Sequence, residues 1–218
     1  MYDEKAILTN QSITSNFQFN NVHILQVTIE NIIVTLKNKQ AEKFINEKIK
    51  KQSNEFFIYA ANKLYPTAIE DYKTRSADGF PFHGHEAILN FQNTYNNNCF
   101  LSFYSDNYQF TGGAHGLTIR TSSTFNLKTG YPVLLNVFFK GNYQNYILHE
   151  IIKQADEIMA EDPVLFEDYK KRIIKNFNPN SFYLTDNGIV IYYQQYEIAP
   201  YSTGIVEFTI PYQIPPKC

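Results

Sequence analysis

The sequence predicts an α+β fold, mainly antiparallel sheet packed with a long N-terminal helical region and a C-terminal helix pair. Three observations carry this. Apolar and polar residues alternate over 21–36, 87–95 and 117–125, the period of half-buried strands, and 99–110 is a further strand-like run. The period becomes helical over 39–65 and again over 143–177. Short turns, rather than long crossovers, separate most strand-like runs, which favours antiparallel pairing.

Each element has its own signal. The first 20 residues are polar and read as a flexible segment. In NVHILQVTIENIIVTL, Leu25, Val27 and Ile29 face one way and Gln26, Thr28 and Glu30 the other. Ala41, Phe44, Ile45 and Ile49, then Phe57, Ala60, Ala61 and Leu64, follow helical spacing and predict helix ending before Pro66. Ala87, Leu89, Phe91 and Tyr95 mark a strand, and Asn96–Asn98 supply a turn into CFLSFYSDNYQF, since Asn tolerates positive φ. FTGGAHG leads into a third strand, Leu117–Phe125, and Gly130 closes a tight turn after NLKT. Ile147, Ile151, Ala155, Ile158 and Met159 stripe a helix over Tyr143–Met159. Asp162-Pro163 reads as an N-cap followed by proline at the first position of a second helix. Asn187-Gly188 is the strongest hairpin signal, and Ile205–Ile210 supplies a last strand. The organisation expected is residues 1–20 flexible, 21–111 an N-terminal half and 112–218 a C-terminal half, packed as one compact unit or as two intimately packed subdomains.

Composition narrows the function classes. The chain has 218 residues, 19 basic and 21 acidic, and a net charge of −2. That balance argues against a nucleic-acid binder built on a broad basic face. Sixteen Lys against three Arg, with 23 Asn and 24 Ile, follow from the AT-rich codons of a low-GC bacterium, so the Asn content signals nothing prion-like. No apolar run approaches a membrane span, and the opening residues lack the basic start and apolar stretch of a signal peptide. As written, the sequence predicts a cytoplasmic chain. Cys99 and Cys218 leave two options open, a single bridge or a free terminal thiol.

Three clusters carry candidate chemistry. His83 and His85, two apart on a strand, share a face, and with Glu86 they form a potential zinc-ligand set. The simpler reading is a polar turn before a strand. In Gly112-Gly113-Ala114-His115-Gly116, a strand rather than a helix follows the glycines, so phosphate cradling is disfavoured. His115 is then a candidate base or ligand, or a hydrogen-bonding member of a tight connection. Tyr196-Glu197-Ile198-Ala199-Pro200-Tyr201 is either an aromatic binding surface or an ordered turn with Glu197 paired internally. No nucleophile motif occurs, and no cofactor is expected.

Three ordered motifs carry a resemblance: DNYQFTGGAHG, TFNLKTGYPVLLNVFF and FYLTDNGIVIYYQQYEIAPYSTGIVEFTIPY. They resemble the RsiV-type anti-sigma factor extracytoplasmic domain family, a module also found ahead of the catalytic domain in PdaC peptidoglycan deacetylases. The matching positions are Gly112, Gly113, His115, Gly116, Gly130, Tyr196, Glu197, Ala199, Pro200, Tyr201 and Gly204. The resemblance implies an α+β fold, no catalytic role, an extracytoplasmic setting and a partner such as lysozyme or a cell-wall fragment. His115, Tyr196, Glu197 and Tyr201 are the binding candidates. The rival expectations are a metal-assisted hydrolase using His83, His85, Glu86 and His115, and a cytoplasmic small-ligand binder.

Overall fold

The computed structural model describes residues 4–218. The fold is α+β. Strands β1 (Ile7–Phe19) and β2 (Val22–Thr35) precede helices α1 (Lys39–Tyr59) and α2 (Tyr65–Asp78). Strands β3 (His85–Asn97), β4 (Phe100–Phe110) and β5 (Leu117–Asn126) follow, then helices α3 (Tyr143–Glu161) and α4 (Tyr169–Asn176). Strands β6 (Phe182–Thr185), β7 (Gly188–Tyr193) and β8 (Val206–Ile210) close the chain. The sheets run β1-β2-β3-β4-β5 and β6-β7-β8.

The chain forms two compact units. The N-terminal unit comprises residues 7–91 and 105–119, and the C-terminal unit residues 4–6, 92–104 and 120–218. A cut near residue 112 does not describe them, because β3, β4 and β5 each contribute residues to both.

In the N-terminal unit, β1 pairs antiparallel with β2 from Ile7↔Thr35 to Phe19↔Val22. The flexible segment expected over residues 1–20 is therefore a strand over 7–19; residues 1–3 lie outside the described chain. Its apolar residues, Ile7, Leu8, Ile13, Phe17 and Phe19, are too few and too unevenly spaced to show alternation. The pairing along β2 orders them. Strands β2 and β3 pair in parallel, Leu25 opposite His85, a departure from the antiparallel expectation. The helices between them provide the crossover that a parallel pair requires.

Asn38 caps α1, its side chain accepting from the Gln40 and Ala41 amides. Ala41, Ile45, Ile49 and Phe56 form the buried stripe, whereas Phe57 is partly exposed. Helix does not stop before Pro66. A π-helical segment, Ala60–Leu64, interrupts the ladder and leaves Pro66 in the first turn of α2. There its missing N–H removes no intrahelical bond.

In the C-terminal unit, all six residues of β7 are buried. Ile189, Ile191 and Tyr193 join the core formed by Phe138, Ile147, Ile151 and Ile173. Val190 and Tyr192 face a smaller cluster with Tyr183. Asp162 ends α3 instead of starting the next helix. Residues 163–168 are held otherwise, the Phe166 amide donating to Ile198 O at 3.0 Å, and α4 begins at Tyr169. The hairpin at 186–188 forms as expected, with Thr185 opposite Gly188. Gly188 is required for space: a Cβ there would stand 2.6 Å from the Ile210 carbonyl oxygen.

Cys99 and Cys218 form a disulfide that spans 119 residues of sequence. Cys99 sits at φ +65° in the β3–β4 turn and is fully buried. The C-terminal segment is anchored on its way there by the Ile214 amide, which donates to Phe138 O. Spacing in the sequence could not reveal that return path.

Candidate functional site

The glycine-rich turn between β4 and β5 lies against the side chains of α2 and β3 in the N-terminal unit. Gly112 O accepts from Arg75 Nη2 at 2.9 Å. Arg75 Nε donates to both Asp71 carboxylate oxygens, at 2.9 and 3.0 Å. Asp71 Oδ2 also meets His85 Nε2 at 3.2 Å. His85 is buried, with Phe82 stacked on its ring at 5.8 Å. A carboxylate thus bridges an arginine and a histidine, and the arginine holds the turn. Gly112 combines φ +82° with a Cβ position only 2.9 Å from Asp71 Oδ2. Gly116 is pressed against the Tyr108 ring, 2.3 Å from its hypothetical Cβ. Gly113 is the exception, with nothing nearer than 3.9 Å.

These contacts set an expected result. Gly112→Ala lowers unfolding free energy by about 2 kcal/mol, the cost of a disfavoured φ joined to a displaced carboxylate. Gly113→Ala changes it by less than about 0.5 kcal/mol, as at an unconstrained surface site. Urea titrations of both variants measure the difference.

The histidines do not assemble as a metal site. His83 precedes β3 and is exposed, while His85 is buried on Asp71, so the two do not share an environment. Glu86 follows His85 on a strand and therefore takes the opposite face. His115 is exposed in the turn, its Nδ1 donating to Gly116 O at 3.2 Å. Among the described residues, no group of three or more His, Cys, Asp or Glu side chains is placed to hold a metal ion.

In the C-terminal unit, the segment after β7 is an ordered loop around Glu197. The Gln194 amide donates to Glu197 Oε2 at 2.7 Å, and the Glu197 amide donates back to Gln194 O at 3.1 Å. Asn176 Nδ2 donates to Glu197 O at 2.9 Å. Ile198 and Ala199 are buried. Pro200 leads into a single helical turn, Tyr201–Thr203, which ends at Gly204 with φ +77°. Glu197 is thus the internal brace of the loop. Tyr196 differs from its neighbours: it adopts φ +67° and is 48% exposed. Its ring lies 5.9 Å from that of Tyr201.

Sequence pattern missed Arg120, which reads only as one polar residue of an alternating strand. Its guanidinium stacks 3.7 Å above the Tyr104 ring and pairs with the Glu207 carboxylate. The Gln194 amide clamps its backbone: Arg120 N donates to Oε1 at 2.9 Å, and Nε2 donates to Arg120 O at 2.6 Å. Burial pushes the nearby Tyr183 hydroxyl well above its ordinary range, and the charge of Glu207 adds to the shift. One signal was available. With only three arginines in the chain, each place where lysine was not used is informative. Arg75 and Arg172 also make carboxylate contacts, to Asp71 and Asp168, and Arg172 stacks on Phe166 at 4.4 Å.

Comparison with known proteins accords with this architecture. The family described as a protein of unknown function, DUF3298, matches residues 136–213. The family described as deacetylase PdaC matches residues 12–118. The chain is 30% identical over 182 residues to the anti-sigma-V factor RsiV of Bacillus subtilis (strain 168), covering 81% of this chain. It spans 59% of the length of that relative. Among solved structures, a DUF3298 family member from Bacteroides fragilis aligns with a TM-score of 0.69 at 20% identity, covering 96% of this chain and 92% of that one. A DUF3298 family protein from Pseudomonas aeruginosa PAO1 aligns with a TM-score of 0.59 at 16% identity, covering 95% and 90%. These two likenesses show the fold.

Proposed function

This chain is an RsiV-like domain of the DUF3298 family, and from that membership we propose a non-enzymatic binding and sensing module of the anti-sigma-factor ectodomain kind. Its ligand is a protein such as lysozyme or a fragment of the cell wall. The contact surface is the Tyr196–Tyr201 loop. The observation that carries this assignment is Tyr196, an exposed aromatic held at φ +67° on a loop anchored by buried Ile198 and Ala199 and by the internal hydrogen bonds of Glu197. A non-glycine residue in that region is costly, and such strain concentrates at functional sites. A rigid aromatic anchor also loses little entropy on binding. The net charge of −2 offers weak electrostatic capture, so binding rests on shape and aromatic contact and responds weakly to salt. The Cys99–Cys218 bridge supports a place outside the cytoplasm, where disulfides persist.

Calorimetry with lysozyme and with soluble peptidoglycan fragments tests the reading. One of the two is expected to bind. Tyr196→Asn removes the ring but keeps a residue that tolerates positive φ. It is expected to weaken binding by about 30-fold, the scale of an interface anchor worth about 2 kcal/mol. No heat with either ligand overturns the function. Full affinity in Tyr196→Asn overturns the surface.

A further inference from the structure

Strand β1 is the outer strand of its sheet, bonded in the sheet only to β2. It is 13 residues long, and its sequence ILTNQSITSNFQF contains no charged residue and no proline. Exposed edges are normally protected against pairing by lysine, proline, a bulge or short length. The register shift in the β1–β2 ladder comes only at Phe17/Gln18, so 7–17 pair in unbroken register. Four of its five apolar residues, Ile7, Ile13, Phe17 and Phe19, share one face with Thr9, Gln11 and Ser15, and there Phe17 lies 6.0 Å from Phe57 and 5.2 Å from Tyr65. The other face carries Leu8 with Asn10, Ser12, Thr14, Asn16 and Gln18. Beside the apolar face runs a groove lined by Ile13, Ile29, Ile33, Ile49 and Phe57. Ile7 is 68% exposed, Ile13 49% and Ile33 41%.

We propose that β1 is a self-association edge, and that a second copy of this chain pairs with it antiparallel about a two-fold axis at Ile13. Three features of the strand select a second copy. The neutral edge lets two identical strands meet without like-charge repulsion, whereas α1 carries lysines and glutamates along its exposed side. Ile13 is the midpoint of Ile7–Phe19, so a two-fold there uses the whole strand and makes the isologous contact typical of dimers. The register also preserves face. Each odd-numbered residue meets an odd-numbered one, Ile13 against the partner's Ile13 and Ile7 against the partner's Phe19. Apolar side chains from both copies then lie on one side of the joined sheet and continue the groove. A one-residue slip would put them on opposite sides.

Sedimentation of the intact chain over a wide concentration range tests this. A monomer–dimer equilibrium is expected. Ile13→Lys places two ammonium groups face to face at the axis and should yield monomer throughout, with unchanged circular dichroism. Ile13→Cys should crosslink on mild oxidation, because directly opposed strand residues have Cα atoms about 4.5–5.5 Å apart, within disulfide reach. Both native cysteines are already paired, so the new thiol has no native partner. A chain that stays monomeric at high concentration overturns the proposal. So does a dimer that survives Ile13→Lys, because it uses another face. Neither result bears on ligand binding at Tyr196, which lies in the other unit.

Discussion

Cys218→Ser is expected to lower the unfolding free energy by about 4 kcal/mol, the largest single effect foreseen here. The Cys99–Cys218 bridge closes a loop across 119 residues, and the chain-entropy value for such loops is about 4–5 kcal/mol. Residual structure in the denatured chain trims it. Cys218 is the preferred position to change. It is the last residue and partly exposed, so serine there leaves no buried hydroxyl. Serine at Cys99 would add a polar group at a fully buried turn. In thermal scans the shift should be roughly 10 °C at this chain length, and a reductant should produce it in the parent chain but not in Cys218→Ser. Equal melting of both proteins with and without reductant would remove the bridge from the stability of the native state.

Arg120→Met is expected to cost about 2–3 kcal/mol, measured by urea titration. Methionine replaces the aliphatic stem but not the guanidinium on Tyr104 or the pairing with Glu207. Breaking a buried ion pair typically costs about 3–5 kcal/mol because the remaining charge is stranded. Here the Arg120 side chain is 10% exposed and that of Glu207 40%, so water can reach the abandoned carboxylate and the lower figure applies. Arg120→Lys should not rescue. An ammonium lacks the planar face that stacks on Tyr104 and the fork that reaches Glu207. A change below about 0.5 kcal/mol, the level of an ordinary surface substitution, would reassign the cluster to mere surface packing.

What could be read from the residues follows a physical rule. Strand β3 shows its alternation because one of its faces is buried, whereas β4 opens on four consecutive buried residues and β5 leaves Leu117 and Ile119 exposed; the observed bounds of all three follow the expected ones closely. The helices over 39–59 and 143–161 show a continuous apolar stripe for the same reason. The turn at Gly130 was legible because φ +76° suits glycine at little cost. Gly112 was visible as an unusual residue, but its requirement was not. That lies in the Asp71 carboxylate, 41 positions earlier in the chain, and only folding brings the two together.

The misreadings share a cause. Asp162-Pro163 carries a genuine local start signal, yet the Phe166 amide pairs with Ile198 O, and this distant contact outweighs the local preference. Pro66 carries a genuine stop signal, yet the π-helical segment before it leaves no hydrogen bond for the proline to break. For His83 and His85 the sequence left a ligand pair and, more simply, a polar turn open; in the fold Asp71 meets the second and the first is exposed. Period, turn chemistry and composition are properties of neighbouring residues, and they suffice for fold class, most elements and the family motifs. Pairing of β1, the disulfide, the Arg120 stack and the bracing of Glu197 depend on residues far apart in sequence. Their energies exist only after the chain has closed those distances, so tertiary structure alone decides them.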